Sequence, residues 1–403
     1  MDNNLSCRAR RTSSFAAAAA SALVLSNGMA MGAQEHVKTL VTFGNLPDPH
    51  LPTAGLVLGP DGNLYGTSFY GGDANFGTVF KVTPKGEMTV IYSFEGGSDG
   101  AYPSAQLLVG QDGNLYGTTE YGGGAACPQL VMGPGCGTVF KVTLQGTESI
   151  LYAFQGQGDG LIPTGAVIQV ASGDLYGTTN GGGLANSGVM FHIEPDGTEE
   201  TIHQFNYAVE GAVPGTPILG HDGNFYVLLG SGFGSFARVT PTGDTTLVYT
   251  FAQVPGDAAF PNGILTRDAE GNFYGTAPYG GAEGFGVVFK LTPAGEEQIV
   301  YSFSGGDDGS RPNGPVLLAT NGLMYGTTTY GGSKNYGVIY ELSPEGAQSV
   351  VHTFKLPTYT PVQGNGIGLV EGKHHYIYGA TTGGGGQITP DWLGSVIRFK
   401  ARE

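Results

Sequence analysis

The chain has 403 residues, 72 of them glycine, a formal net charge of −16 and a charged content of only 12%. An acidic excess of this size disfavours nucleic acid and anionic membranes as partners. No continuous Gly-X-Y repeat is present, which excludes collagen, and an apolar content of 40% argues against general disorder.

The N-terminus, residues 1–32, has the pattern of a secretory signal peptide. The basic segment Arg8–Arg11 precedes the apolar segment Phe15–Leu25, and the small residues around Ala30–Gly32 form a cleavage site. We therefore expect an exported protein, periplasmic or extracellular, with the general secretory and twin-arginine routes both open. A buried N-terminal helix is the alternative interpretation. No later apolar run has the length of a membrane span.

A short motif recurs along the rest of the chain. The segment Gly62–Thr67 (GNLYGT) returns at residues 113–118, 173–178 and 271–276, and three weaker copies carry the same central tyrosine. The seven central tyrosines, 48 to 60 residues apart, are Tyr65, Tyr116, Tyr176, Tyr226, Tyr274, Tyr325 and Tyr378. A period near 50 residues is typical of a repeat architecture.

Each repeat has the pattern of four short strands. In the first complete copy, small residues at 52–58 lead to an Asp-Gly turn and to a second strand at 63–67. A third strand follows at 78–82, with alternating side chains, and a fourth at 88–94. Four antiparallel strands at this period predict one blade of a β-propeller.

Two cysteines, Cys127 and Cys136, lie nine residues apart in a glycine-rich insert of the second repeat. In an exported protein such a pair is more often a disulfide than a metal site, and no nearby histidine supplies further zinc ligands. We predict a disulfide between them.

The two ends of the chain predict how the ring closes. Residues 36–43 match a fourth strand with no blade before it, and residues 395–399 match a third strand with no fourth after it. The predicted fourth strands are residues 36–43, 87–94, 147–154, 198–205, 244–251, 296–303 and 347–354. We therefore predict an all-β, seven-bladed β-propeller with four-stranded antiparallel blades. Its single domain spans residues 33–403, and its seventh blade combines 36–43 with 361–400, which removes both exposed sheet edges.

Three sequence blocks carry a resemblance to a known family. These are Leu-Tyr-Gly-Thr-Thr followed by Tyr-Gly-Gly, Gly-Thr-Val-Phe-Lys-Val-Thr, and Tyr-Ser-Phe-x-Gly-Gly-x-Asp-Gly. They resemble the GloVer tandem-repeat proteins, a family of exported bacterial polypeptides. The resemblance covers nearly the whole chain after the signal segment and implies export and tandem repetition. It implies no activity and no catalytic residues.

The connections between blades repeat an acidic residue four positions before a proline. The pairs are Asp48/Pro52, Asp99/Pro103, Asp159/Pro163, Glu210/Pro214, Asp257/Pro261 and Asp308/Pro312. A ring of carboxylates on one face is one arrangement that binds calcium or a polyhydroxylated ligand. Alternatively, each carboxylate accepts backbone N–H groups of its own turn. No cofactor is expected apart from such a structural calcium ion.

Aromatic residues on the same face predict a ligand site. Tyr70, Tyr121, Tyr279 and Tyr330 occupy equivalent loops, while other blades lack a tyrosine there, and the only tryptophan, Trp392, lies in the corresponding loop of blade 7. Exposed aromatic rings at the mouth of a propeller stack on sugar rings. The alternative is that the tyrosines pack between blades.

Two candidate catalytic sets are present. His50 and Arg311, together with a tyrosine, suit proton abstraction beside a sugar carboxylate, as in a polysaccharide lyase. Glu120 and Asp391 suit paired carboxylates for glycoside hydrolysis. Neither set has diagnostic spacing. The leading hypothesis is therefore a non-catalytic module that binds an extracellular polysaccharide or a cell-surface partner at the channel mouth, and the alternative is a lyase or glycoside hydrolase at the same face.

Overall fold

The computed structural model describes residues 37–44, 46–124, 127, 135–156, 158–355, 368–382 and 394–402. Within them, seven antiparallel sheets form the blades of a β-propeller, which confirms the predicted fold. The predicted signal segment lies outside the described residues.

The blades follow one another along the chain, and each contains four strands in order. The strands are: blade 1, Val57–Leu58, Leu64–Ser68, Thr78–Val82 and Met88–Ser93; blade 2, Leu108–Val109, Leu115–Thr119, Thr138–Val142 and Glu148–Ala153; blade 3, Ile168–Gln169, Leu175–Thr178, Val189–Ile193 and Glu199–Gln204; blade 4, Ile218–Leu219, Phe225–Leu229, Ser235–Val239 and Thr245–Thr250; blade 5, Thr266–Arg267, Phe273–Ala277, Val287–Leu291 and Glu297–Ser302; blade 6, Leu317–Leu318, Met324–Tyr330, Val338–Leu342 and Gln348–Thr353; blade 7, Leu369–Glu371, Tyr376–Thr381, Ser395–Lys400 and Lys38–Thr42. The fourth strands begin and end within two residues of their predicted bounds.

Short additional pairings join the connections between blades to the loops of the same face. Ser310–Pro312 pairs with the second strand of blade 6, and Ala258–Ala259 pairs with Tyr279–Gly280. The helical segment of the described residues is one turn of 3₁₀ helix, Lys373–His375.

The N-terminal strand closes the ring, as predicted. Lys38–Thr42 pairs antiparallel with Ser395–Lys400, so that Lys38 faces Arg398 and Thr42 faces Ser395. The backbone N–H of Phe43 also donates to the carbonyl of Gly394 at 3.1 Å. Since this strand completes blade 7, the ring leaves no unpaired sheet edge at its seam.

Contacts in the structure explain the residue types of the recurring motif at its tyrosine, glycine and threonine positions. In blade 1, the Tyr65 hydroxyl donates to Asp61 at 2.8 Å, and the Thr67 hydroxyl donates to the carbonyl of Ala105 in the next blade at 3.1 Å. A Cβ on Gly66 would lie 2.7 Å from the Phe80 ring, so only glycine lets that ring lie against the strand. The motif is therefore a set of packing and hydrogen-bonding requirements.

A phenylalanine after the fourth strand of one blade packs against a ring in the next blade. Phe43 meets Phe80 with ring centroids 5.1 Å apart, and Phe94 meets Phe140 at the same distance. All four side chains are buried. These edge-on contacts join neighbouring blades, and the contact of Phe43 crosses the closure.

The acidic residues of the connections accept backbone hydrogen bonds within their own turns. Each carboxylate accepts the backbone N–H of the residue four positions earlier, at 2.6 to 3.1 Å. In four of the six connections it also accepts the hydroxyl of a tyrosine on the preceding blade, as Asp99 does from Tyr92 at 3.0 Å. In the described part of the chain, no group of three or more His, Cys, Asp or Glu side chains is close enough to hold a metal ion.

One of these turns brings its carboxylate, Asp257, close to a second carboxyl group, Glu297, on the fourth strand of blade 5. The Tyr249 hydroxyl lies 2.8 Å from Asp257 and 3.1 Å from Glu297, although a hydroxyl donates only one proton. Burial, together with the adjacent Asp257 carboxylate, raises the pKa of Glu297 above its usual value. A second pair behaves alike, since burial and the Asp99 charge raise the pKa of Glu148 to about 7. This raised pKa favours the protonated form of Glu297, which lessens its repulsion of the Asp257 carboxylate.

We expect Phe43→Ala and Phe94→Ala to destabilise the protein equally, because both remove the same contact between neighbouring blades. Each should lower the free energy of unfolding by about 3–5 kcal/mol in urea denaturation. If Phe43→Ala costs far less than Phe94→Ala, the N-terminal strand does not close the ring.

We expect Glu297→Gln to reduce the pH dependence of stability. A carboxyl whose pKa rises on folding contributes fully at low pH, and the contribution is lost as pH increases through the raised pKa. The melting temperature of the unmodified protein should therefore fall more steeply than that of the variant between about pH 5 and about pH 9. The exposed neighbour provides the control, Glu296→Gln, which should leave the profile unchanged. Identical profiles for the Glu297 variant and the unmodified protein would contradict this assignment.

Candidate functional site

The connections between blades and the Tyr-Gly-Gly loops meet at one central cavity of about 640 Å³. This volume lies in the range of small-molecule sites, about 300–1,000 Å³. The repeat places residues of two equivalent positions in its wall, which we call the inner and the strand-end residues. At a third position, that of the rim residues, Val213, Phe260 and Arg311 also line the cavity.

The inner residues follow each linker proline directly. They are Thr53, Ser104, Thr164, Gly215, Asn262 and Asn313, and all six line the cavity. Thr53, Ser104 and Asn262 are buried. Apart from one glycine, these side chains are hydroxyls and amides, so this wall offers uncharged donors and acceptors.

The strand-end residues lie at the end of the second strand in blades 1 to 6. They are Phe69, Glu120, Asn180, Gly230, Pro278 and Thr329, and all six line the cavity. Their chemistry differs from blade to blade although the flanking motif is nearly constant. Burial raises the pKa of Glu120 above its usual value.

The rim residues directly precede each linker proline. They are Leu51, Tyr102, Ile162, Val213, Phe260 and Arg311, and all six have φ between 51° and 59°. This left-handed conformation is uncommon for residues other than glycine and most unusual for β-branched ones. Because this conformation recurs at all six positions, it is a regular part of the connection between blades.

Backbone hydrogen bonds hold the rim residues in this conformation. The N–H of Phe260 donates to the carbonyl of Phe233 in the preceding blade, and that of Arg311 donates to Phe285, both at 2.8 Å. In the opposite direction, the carbonyl of Ile162 accepts the N–H of the strand-end residue Asn180 at 2.9 Å. Tyr102, Ile162 and Val213 are each bonded in this way both to the preceding blade and within their own blade.

The rim of blades 4 to 6 carries a continuous row of exposed aromatic side chains and one cation. Phe260 packs against Phe233 at 5.3 Å and against Tyr279 at 5.6 Å between ring centroids. The guanidinium of Arg311 then lies 5.1 Å from the Tyr279 ring and 5.3 Å from the Tyr330 ring. We call these five residues the rim row. Tyr279 and Tyr330 are each 41% exposed, so part of each side chain is accessible to a ligand.

The structure divides the four predicted tyrosines into two pairs. Tyr279 and Tyr330 line the cavity. Tyr70 and Tyr121 are not among the lining residues and instead pack against Tyr102, at 5.6 and 5.9 Å between ring centroids. For this second pair, packing between blades accounts for the observed contacts.

Two of the candidate catalytic residues, Arg311 and Glu120, line the same cavity. The sequence analysis had placed them in different sets. His50 is not among the lining residues, and its Nε2 is 2.8 Å from the carbonyl oxygen of Gly44. Asp391 and Trp392 lie outside the described residues. The structure therefore places the cation of the lyase hypothesis, Arg311, and a carboxyl group of the glycoside hydrolase hypothesis, Glu120, in the same cavity wall.

Sequence reasoning missed most of the inner and rim residues. Phe260, Asn262 and Asn313 flank linker prolines, where the motif was read as a turn and its variable positions were passed over. The sequence signal that identifies them is the variation in residue type at equivalent positions of otherwise constant repeats, because packing does not require a residue type that varies.

The disulfide between Cys127 and Cys136 is present, as predicted, with a Cα–Cα distance of 5.2 Å. Cys136 is buried, and its carbonyl accepts the N–H of the rim residue Ile162 at 2.9 Å. The bridge therefore anchors the connection from blade 2 to blade 3. Among the described residues, no helix has the length and apolar character needed to cross a membrane.

Comparison with solved structures identifies other propellers of low sequence identity. The extracellular domain of BT3049 from B. thetaiotaomicron, described as a hybrid two-component system, has a TM-score of 0.58 and 11% identity, covering 91% of this chain and 41% of that one. The WD40 β-propeller domain of Doa1 has a TM-score of 0.55 and 11% identity, covering 92% and 98%. The chain thus spans less than half the length of the first protein, and at these identities the similarity shows the fold alone.

Comparison with curated proteins finds no match. A family model does match, and it covers nearly the whole chain, in two segments at residues 14–234 and 229–390. This confirms the resemblance found in the recurring sequence blocks. The chain belongs to the Gloeobacter/Verrucomicrobia repeat family.

Proposed function

We propose that the protein is an exported binding module that takes an extracellular saccharide into the central cavity. The observation that carries this proposal is the combination of an inner wall of hydroxyls and amides with an exposed aromatic rim. Sugar hydroxyl groups need directional donors and acceptors, while the C–H face of a sugar ring needs an apolar surface. The cavity supplies both.

The concave shape favours a small ligand or a chain end over a broad protein surface. The inner residues Thr164 and Asn313 are only partly buried, so they remain accessible from the cavity. The rim row surrounds one side of the entrance, from Phe233 in blade 4 to Tyr330 in blade 6. A saccharide with one unit in the cavity therefore extends over this row.

Export is supported by the signal pattern of residues 1–32 and by the disulfide between Cys127 and Cys136, since disulfides persist in oxidising compartments. On this proposal the mature protein is one propeller domain of residues 33–403. Its occurrence outside the cytoplasm agrees with the similarity to extracellular propeller domains.

A second candidate function, cleavage of the saccharide, is favoured by Glu120. This carboxyl group lines the cavity, and burial raises its pKa, which is the property of a general acid. A panel of neutral and acidic polysaccharides separates the candidates. Retention without product indicates a binder, new reducing ends alone indicate a hydrolase, and new unsaturated ends that absorb ultraviolet light indicate a lyase.

We expect the double substitution Tyr279→Ala/Tyr330→Ala to weaken binding of a retained polysaccharide at least tenfold. Each stacking contact contributes about 1 kcal/mol beyond burial, and about 1.4 kcal/mol corresponds to a factor of ten in affinity. Isothermal titration calorimetry measures the change. The control is Tyr207→Ala, which removes a tyrosine that is 67% exposed and not among the cavity-lining residues. Equal affinities for the folded double variant and the control would refute the proposed site.

A further inference from the structure

Arg311 is held at the rim by its backbone and by two aromatic rings. Its N–H donates to Phe285 in the preceding blade, and its guanidinium contacts the Tyr279 and Tyr330 rings at 5.1 and 5.3 Å. Cation–π contacts of this kind orient the guanidinium and leave its N–H edges free to donate. The side chain is exposed and lines the cavity.

The charge of Arg311 has no acidic partner among the described residues. Some basic side chains there pair with carboxylates, as Lys141 does with Asp112 at 2.7 Å, and others donate to backbone carbonyls, as Arg398 does to Pro84 at 3.0 Å. Among the described residues, the Arg311 guanidinium has neither an ion pair nor a hydrogen-bond acceptor, and its contacts are the two tyrosine rings. A positive group fixed at the mouth of a cavity is an anion-binding element.

We infer that Arg311 forms a carboxylate subsite and that the bound saccharide contains uronic acid units. This inference rests on the proposed function. A guanidinium binds a planar carboxylate through two parallel hydrogen bonds. The partly buried inner residues Thr164 and Asn313 line the same cavity and offer a hydroxyl and an amide to the hydroxyl groups of the same unit. Glu120, the other charged group among the lining residues, is partly buried, and this burial raises the pKa of its carboxyl group above the usual value.

The test compares three ligand classes with matched charge variants. Calorimetry measures binding of oligogalacturonate and oligoglucuronate, of their carboxyl-reduced neutral forms, and of sulfated neutral oligosaccharides of the same length. We expect at least one uronate to bind about tenfold tighter than its reduced form. Arg311→Gln should abolish this preference. Arg311→Lys keeps the charge but loses the two parallel N–H donors of the guanidinium, so it should reduce the preference.

The matched control is Arg398→Gln. Arg398 also lies over a tyrosine ring, Tyr376 at 4.5 Å, but is not among the residues that line the cavity. The Arg398→Gln variant should retain the full preference for the uronate over its carboxyl-reduced form. Melting temperatures of all variants establish that each one is folded. If Arg398→Gln reduces the preference as much as Arg311→Gln does, the effect belongs to the overall charge and the subsite is refuted.

The remaining outcomes separate this inference from the function on which it rests. Equal binding of uronate and reduced forms, unchanged in Arg311→Gln, refutes the subsite and leaves the saccharide-binding function in place. If the protein prefers the sulfated ligand and this preference depends on Arg311, the subsite binds sulfate and its assignment to a carboxylate is refuted. Failure to bind any member of the panel refutes the proposed function and the subsite with it.

Discussion

The residue before each linker proline carries the constraint on which the ring and its cavity depend. In Tyr102, Ile162 and Val213 the N–H donates to the preceding blade and the carbonyl accepts within the residue's own blade, as for Ile162 with Cys136 and Asn180. These bonds hold a left-handed conformation that costs about 1–2 kcal/mol for a residue other than glycine. The connection therefore joins successive blades and also fixes the direction of a side chain at the rim.

This arrangement separates the scaffold from the site within each repeat. The constant letters have packing and hydrogen-bonding roles, such as Gly66 against Phe80 and Thr67 against the next blade. The residues that differ between repeats, after the proline and at the end of the second strand, line the cavity, and so do three of the six residues before the proline. The chemistry of the cavity wall therefore varies from blade to blade while the motif that builds each blade stays nearly constant.

The fold was largely predictable from the sequence, and the reason is burial. Alternation and the seven tyrosines report which side chains are inside, so the strands, the closure by Lys38–Thr42 and the disulfide agree with the structure. The candidate site was predictable only in part. Equivalent sequence positions suggested equivalent roles for the tyrosines, yet Tyr121 packs against Tyr102 whereas Tyr330 lines the cavity with Arg311.

The difference arises in the rim residues, which sequence periodicity does not resolve. In blade 2 the rim residue is Tyr102, which packs against the Tyr70 and Tyr121 rings, and in blade 6 it is Arg311, whose guanidinium lies over the Tyr279 and Tyr330 rings. Which of these occurs depends on a left-handed backbone before proline, a conformation that no residue preference indicates. The carboxylates of the connections were similarly ambiguous, because an acidic turn residue and a ligand residue have the same sequence signature.

The central claim is that variable residues of a rigid ring form one saccharide site in the propeller channel. A crystal structure of the protein with a bound uronate oligosaccharide tests this claim most directly. The account predicts one sugar unit among the inner residues, its carboxylate within hydrogen-bond distance of Arg311 and a neighbouring unit against Tyr279 or Tyr330. A ligand bound at the opposite face, beside the Asp61-Gly62 turn, or on the outer strands of the blades would contradict it.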